Sequence, residues 1–123
     1  MQPLLEVRLK GGPEAPTRAR NALSVLQLGE ACEDIVLLVS ELVTNAAKHA
    51  FPDREGGLIR VDAFNCNGCW CFTVTDNGRG ATGSLQGTGG RILEGLARSI
   101  RAQLYCQSDQ CGTRVTIMLP ALV

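Results

Sequence analysis

The sequence predicts an α+β fold: a two-layer sandwich in which a mixed, mostly antiparallel sheet of about five strands is covered on one face by three helices. Two observations carry the prediction. Several short segments alternate apolar and polar residues, so each strand has one wet face, as expected of an antiparallel sheet packed on one side only. Three others repeat their apolar residues at helical spacing. Their order is strand, helix, helix, hairpin, glycine-rich loop, helix, hairpin, and one domain over residues 1–123 accounts for it.

Leu5, Val7 and Leu9 alternate with Glu6, Arg8 and Lys10 as a first strand, which Gly11-Gly12-Pro13 ends. From about Pro16 to Leu28, Ala19, Ala22, Leu23 and Leu26 form a helical stripe; Pro16 suits a first turn and Gly29 a stop. A second helix spans about Ala31 to Ala50, its start favoured by the negative charges of Glu30, Glu33 and Asp34, and Phe51-Pro52 closes it. Past a polar loop, Ile59, Val61 and Ala63 alternate with Arg60 and Asp62, an Asn-Gly turn follows at Asn67-Gly68, and Trp70, Phe72 and Val74 line the returning strand. Glycines then recur from Gly78 to Gly90, a density that argues for close backbone approaches rather than for helix or sheet. Ile92, Leu93, Leu96, Ala97 and Ile100 trace a third helix. A last hairpin pairs Gln103 to Gln107 with Thr113 to Leu119 through a turn at Ser108 to Gly112.

Lysine plus arginine equals aspartate plus glutamate at 12 each, so no global field recruits nucleic acid or an anionic membrane. The N-terminal residues interrupt their apolar positions with charges and form no signal-peptide core, and the aliphatic run Ile35 to Val39 is far too short to cross a bilayer. The expected location is cytoplasmic. In a reducing compartment the six cysteines are expected to be free thiols. A zinc site built on Cys66 and Cys69 with Cys71, Cys106 or Cys111 is the sharper rival. It is disfavoured, because the Cys66/Cys69 turn and the turn bearing Cys111 belong at opposite ends of the sheet, and Cys66, Cys69 and Cys71 alone are one ligand short.

The second helix carries an unusual polar face beside its apolar stripe. Glu41, Asn45, Lys48 and His49 gather there, a carboxylate, an amide and an imidazole one turn apart with an ammonium beside them. Singly, each reads as a surface charge or a satisfied helix residue; together they offer a base, an oxygen ligand for magnesium and two phosphate contacts. Asp76 ends a strand at a glycine turn, where it either bonds local backbone or accepts from the amine of a base that Gly78 and Gly80 let approach. Gly87-Thr88-Gly89-Gly90, immediately before the third helix, offers backbone N–H groups to an anion, although such glycines also serve as ordinary connections.

Taken together, Glu41-x-x-x-Asn45 on a helix, Asp76-x-Gly78-x-Gly80 after a strand, Gly87-x-Gly89 before a helix and a closing Gly112-Thr113 resemble the successive boxes of the GHKL ATPase superfamily, over nearly the whole chain. The resemblance implies ATP and magnesium, with Asn45 as metal ligand, Asp76 on the adenine amino group, Lys48 and His49 near phosphates and Thr113 near the adenine edge. Glu41 and the compact chain look like the stand-alone anti-sigma-factor serine kinases, which phosphorylate an anti-sigma antagonist, sequester a sigma factor and imply a homodimer. The alternative is the catalytic domain of a sensor histidine kinase, whose partner is a histidine-phosphotransfer segment or response regulator. The single histidine, His49, already belongs to the expected nucleotide site, so the chain is not a self-sufficient histidine kinase. A third possibility is a nucleotide-gated binding module without kinase activity. It draws on the short lid Ala81 to Gln86, which can span only ~20 Å. Arg91, where many sensor kinases carry glycine, is either a phosphate contact or an exposed first-turn residue.

Overall fold

A computed structural model describes residues 3–10, 13–25, 32–49, 57–66, 69–78, 88–109 and 112–119. In chain order the elements are β1 (Leu5–Lys10), α1 (Ala15–Leu23), α2 (Cys32–His49), β2 (Leu58–Cys66), β3 (Cys69–Asp76), α3 (Thr88–Ser99), β4 (Gln103–Asp109) and β5 (Gly112–Met118). The strands form one sheet in the order β1-β2-β3-β5-β4. Every pairing is antiparallel, so the sheet is simpler than the mixed one expected.

Alternation decides which face is covered. Leu9, Ile59, Val61, Ala63, Phe72, Val74, Val115 and Ile117 are buried, and the register stacks them in rows across the sheet: Val7, Val61, Val74 and Val115 form one, Leu5, Ala63, Phe72 and Ile117 the next. Onto this face α2 lays Ile35, Leu38, Val39, Leu42, Val43 and Ala46, all buried. Each fully buried aliphatic or aromatic side chain contributes about 1.5–3 kcal/mol. α2 lies between α1 and α3 in the helical layer and packs on β2 and β3, while α1 reaches β1 and α3 reaches β4.

The opposite face is polar with one well-satisfied charge. Asp62, only 3% exposed, accepts from Arg60 Nε at 2.9 Å and from Thr73 Oγ1 at 3.1 Å. Arg60 and Asp62 lie on one strand, and Thr73 is directly opposite Asp62 on β3. Desolvation of this carboxylate is thus offset by two donors, one of them charged.

Several ends differ from the sequence expectation. α1 has its last helical residue at Leu23, where Ser24 N–H turns back to Arg20 O, and Leu26 to Gly29 lie outside the described residues. α3 begins at Thr88, so Gly89 and Gly90 form its first turn instead of preceding it. First-turn N–H groups have no intrahelical acceptor, so the helix gains a turn there without needing a side chain to pack. β4 and β5 pair as far as Asp109 and Gly112, so the ladder consumes most of the expected turn. Among the described residues no helix is long and apolar enough to cross a membrane.

Candidate functional site

Pairing gathers four chain segments at one end of the sheet. Asp76, the last residue of β3, lies opposite Ile59 on β2 and Thr113 on β5, and Thr113 in turn lies opposite Ser108 on β4. Its alternation with Val74 and Phe72 puts it on the helix-covered face, where it is buried. Burial pushes the Asp76 carboxyl up from its ordinary value of 3.8, while the backbone N–H groups of Gly78 and Thr113 pull the other way. Gly78 N–H donates to Asp76 Oδ1 at 3.0 Å. A desolvated carboxylate held by fixed donors is well suited to accept one more hydrogen bond from an amine that enters the same space.

Two neighbours fix that carboxylate. Asn77 extends the β2–β3 ladder by one rung: its N–H donates to Leu58 O at 3.2 Å, and its side-chain Oδ1 accepts from Leu58 N–H at 2.9 Å. The amide side chain here does the work of a backbone carbonyl. On the other side Gly112 has φ +142°, and a Cβ added there would lie 1.9 Å from the carbonyl oxygen of Asp76. Only glycine lets β5 start this close to the end of β3. Sequence reasoning missed Asn77 entirely and gave Gly112 no physical role. The signals available were an asparagine directly after a strand-terminal aspartate and a glycine at a strand start.

The remaining expected site residues lie in the helical layer or outside the described residues. Glu41 and Asn45 stand one helical turn apart on α2, both half-buried, and neither side chain has a hydrogen-bond partner among the described residues. Nearby Ser40 and Thr44 are spent locally, Ser40 Oγ donating to Leu37 O at 2.9 Å and Thr44 Oγ1 to Ser40 O at 2.8 Å. Lys48 and His49 are the last residues of α2, which leads on toward Leu58 at the Asp76 end of the sheet. Thr88, Gly89 and Gly90 open α3. That helix delivers the chain to Gln103, which pairs with Met118 at the far end of the sheet from Asp76. Twelve helical residues cover about 18 Å, close to the length of the strands beneath, so the N-terminus of α3 stands at the Asp76 end. Gly80, Gly87 and the lid Ala81 to Gln86 lie outside the described residues.

An amide oxygen and a carboxylate one turn apart are hard oxygen donors of the kind magnesium takes, in company with phosphate and water. Asn45 and Glu41, half-buried with no described partner, fit such an ion. Cys66, Cys69 and Cys71 lie at the far end of the sheet from Asp76. Cys66 and Cys69 face one another across the β2–β3 hairpin, Cys71 follows on β3, Cys106 is on β4 beyond β5, and Cys111 lies outside the described residues.

A carboxylate at a strand end beside a glycine turn, a helix N-terminus at the same end and a polar helix face over the sheet are the arrangement expected of a nucleotide-binding α+β domain. Residues 32–123 match the family described as histidine kinase-, DNA gyrase B- and HSP90-like ATPase, and the chain belongs to that family. It is 34% identical over 79 residues to an anti-sigma F factor of Clostridium botulinum, an alignment covering 62% of this chain and 55% of that protein. It is 35% identical over 83 residues to the serine-protein kinase RsbW of Listeria monocytogenes, covering 63% and 53% respectively. Its fold superposes with a TM-score of 0.68 on the histidine kinase domain of the blue-light-activated histidine kinase of Erythrobacter litoralis, at 35% identity over 75% of this chain and 48% of that one. The chain thus spans about half the length of the anti-sigma F factor, the serine-protein kinase and the Erythrobacter histidine kinase domain, and 31% of a longer structure of that blue-light-activated kinase.

Proposed function

We propose that this chain is an ATP- and magnesium-binding protein kinase domain of bacterial signal transduction, of the anti-sigma-factor serine kinase type. The observation that carries the reading is the end of β3. There a buried, donor-held Asp76 sits beside Thr113, at the sheet end toward which the N-terminus of α3 points. On this reading Asp76 accepts from the adenine amino group and Thr113 lines the adenine edge. Gly78 and Gly80 give the ring room. The phosphates lie toward Gly87, Thr88, Gly89 and Gly90, where first-turn N–H groups and the helix dipole favour negative charge. Lys48 and His49 add donors from the end of α2.

Asn45 would hold magnesium through its amide oxygen, and the ion would neutralise charge on the transferring phosphoryl group. Glu41 takes the proton from a serine hydroxyl as its oxygen attacks the γ-phosphorus. The bond to the β-phosphate oxygen breaks, and ADP leaves. The names of the anti-sigma F factor and the serine-protein kinase support a protein acceptor and a sigma factor as partners.

Calorimetric titration with ATP and magnesium, beside Asp76→Asn and Asn45→Ala, tests the site. Binding lost in the first variant and stripped of its magnesium dependence in the second is expected. No binding by the wild type at millimolar nucleotide would overturn the reading. Incubation with γ-labelled ATP and candidate acceptors then tests transfer: a label stable to acid and labile to base marks phosphoserine. An acid-labile label instead favours the histidine kinase reading, which the 35% identity to the Erythrobacter domain supports. Nucleotide binding without any labelled protein leaves the nucleotide-gated binding module.

A further inference from the structure

At the edge of the sheet away from β1, β4 pairs with β5, and among the described residues no strand pairs with its other side. Its sequence, Gln103-Leu104-Tyr105-Cys106-Gln107-Ser108-Asp109, contains no lysine and no proline, and its register with β5 runs without a bulge from Gln103 to Asp109. Exposed edges are ordinarily blunted by such devices, because their unpaired backbone groups template another strand. Beside this edge, between β4 and the last turns of α3, lies a groove of about 510 Å³ lined by Glu94, Ala97, Arg98, Arg101, Ala102 and Leu104. Its floor is apolar, with Ala97 buried and Ala102 and Leu104 partly so. Its rim carries the two exposed guanidinium groups of Arg98 and Arg101 against one exposed carboxylate, Glu94, a net positive rim, and neither arginine forms an ion pair with a described residue.

Arg101 adds an independent observation. It is the only described non-glycine residue with positive φ, at +58°, and it ends α3 while Ala102 N–H reaches back to Ala97 O at 2.8 Å. Glycine is the residue this helix-ending geometry favours, and an L-side chain there costs roughly 1 kcal/mol. Backbone geometry therefore gives no reason for an arginine, whereas a cationic groove rim does.

We propose that the β4 edge and this groove form a docking site for an extended, acidic segment of a partner protein, which adds to the sheet as a sixth strand. Backbone pairing would supply affinity, as in other β-augmentation complexes, and alternate side chains would enter the groove. Carboxylates at alternate positions meet Arg98 and Arg101. A second copy of this chain suits the site poorly: pairing β4 with β4 about a two-fold axis sets the two arginine rims on the same side of one continuous sheet. The groove lies by the C-terminal end of α3, away from Asp76, so occupancy there is compatible with a filled nucleotide site.

The test uses labelled ten-residue peptides alternating Glu with Thr or Lys with Thr, together with two versions of the Glu peptide N-methylated on alternate residues in opposite registers. Fluorescence anisotropy is expected to show the Glu peptide binding at least tenfold more tightly than the Lys peptide. Arg98→Glu with Arg101→Glu should reverse that preference. One N-methylated register should abolish binding and the other preserve it, a readout that leaves the protein unchanged. Amide shifts should centre on β4 and the last turn of α3. Equal binding of the Glu and Lys peptides, equal effects of the two N-methylated registers, shifts centred elsewhere, or no binding at millimolar peptide would each overturn the proposal. Sedimentation showing dimers that dissociate when the Glu peptide is added would overturn the choice of occupant in favour of a second copy.

Discussion

Replacing Gly112 by alanine tests whether the start of β5 must touch the end of β3. The added Cβ would sit 1.9 Å from the Asp76 carbonyl oxygen, 2.9 Å from its carbon and 3.2 Å from Asn77 Cα, all backbone atoms that cannot rotate away. Ordinary carbon–oxygen contact requires the two backbones to part by more than about 1 Å, enough to break hydrogen bonds of normal length. At stake are the Asp76 to Thr113 and Asp109 to Gly112 rungs and the Thr113 N–H that holds the Asp76 carboxylate. Neutral bonds of this kind contribute about 1 kcal/mol each, one to a charged group about 1.5–3, and a side chain at positive φ adds about 1–3 kcal/mol of strain. Urea denaturation should therefore show a loss of about 4.5–8 kcal/mol. ATP affinity, measured by calorimetry under conditions where the variant remains folded, should fall more than tenfold. A loss below about 1 kcal/mol with unchanged affinity would show that this close approach positions nothing.

Asp76→Asn should abolish ATP binding yet change the pH dependence of stability. The folded-state pKa of Asp76 is raised, so the native state holds its proton more tightly and the wild type loses stability as pH rises from 3.8 through the folded value; the asparagine variant lacks that component. Urea midpoints from pH 4 to neutral should thus move in the variant's favour, and a pH-independent difference would refute the assignment. Asn77→Ala leaves Leu58 N–H without its 2.9 Å acceptor and should cost about 1 kcal/mol, with faster exchange of the Leu58 amide; unchanged exchange would count against the extra rung. Phe72→Ala empties a fully buried position and should cost about 3–5 kcal/mol. Because the one tryptophan, Trp70, stacks on Phe72 at 5.7 Å between centroids, its fluorescence should shift in the same variant, and a silent spectrum would refute the stacking.

Most of the fold was legible because its signals are local. Leu5, Val7 and Leu9 announce a half-wet strand by alternation alone, and the stripe from Leu38 to Ala46 announces a buried helix face. Element ends were less legible, since they depend on what packs nearby: Gly89 and Gly90 read as loop but lie in the first turn of α3. The site was legible as residue types in order, not as geometry. Nothing in Asp76-Asn77-Gly78 says that the asparagine side chain would bond Leu58, nineteen positions away in sequence, because that contact exists only once β2 and β3 pair. Nor could the sequence show that Gly112 meets Asp76, for their proximity is a property of the β3–β5 register.

That register also explains why the proposed site divides as it does. Asp76, Asn77 and Thr113 are held by ladder bonds at the end of a continuous sheet, so the groups proposed to read the adenine are placed by many mutually supporting rungs. Burying Asp76 works against stability as its carboxyl ionises, and that cost falls where the surrounding pairing is dense. The groups proposed to face the phosphates come instead from a helix face, Glu41 and Asn45, and from a helix start, Thr88 to Gly90. On this proposal base recognition belongs to the sheet and phosphate chemistry to the helical layer, so the two tasks are physically separate. A shift of α2 or α3 against the sheet would then alter the proposed position of the γ-phosphoryl group relative to Glu41 while leaving the proposed adenine contacts of Asp76 in place. The partner groove along α3 lies on one of the two elements able to make that shift.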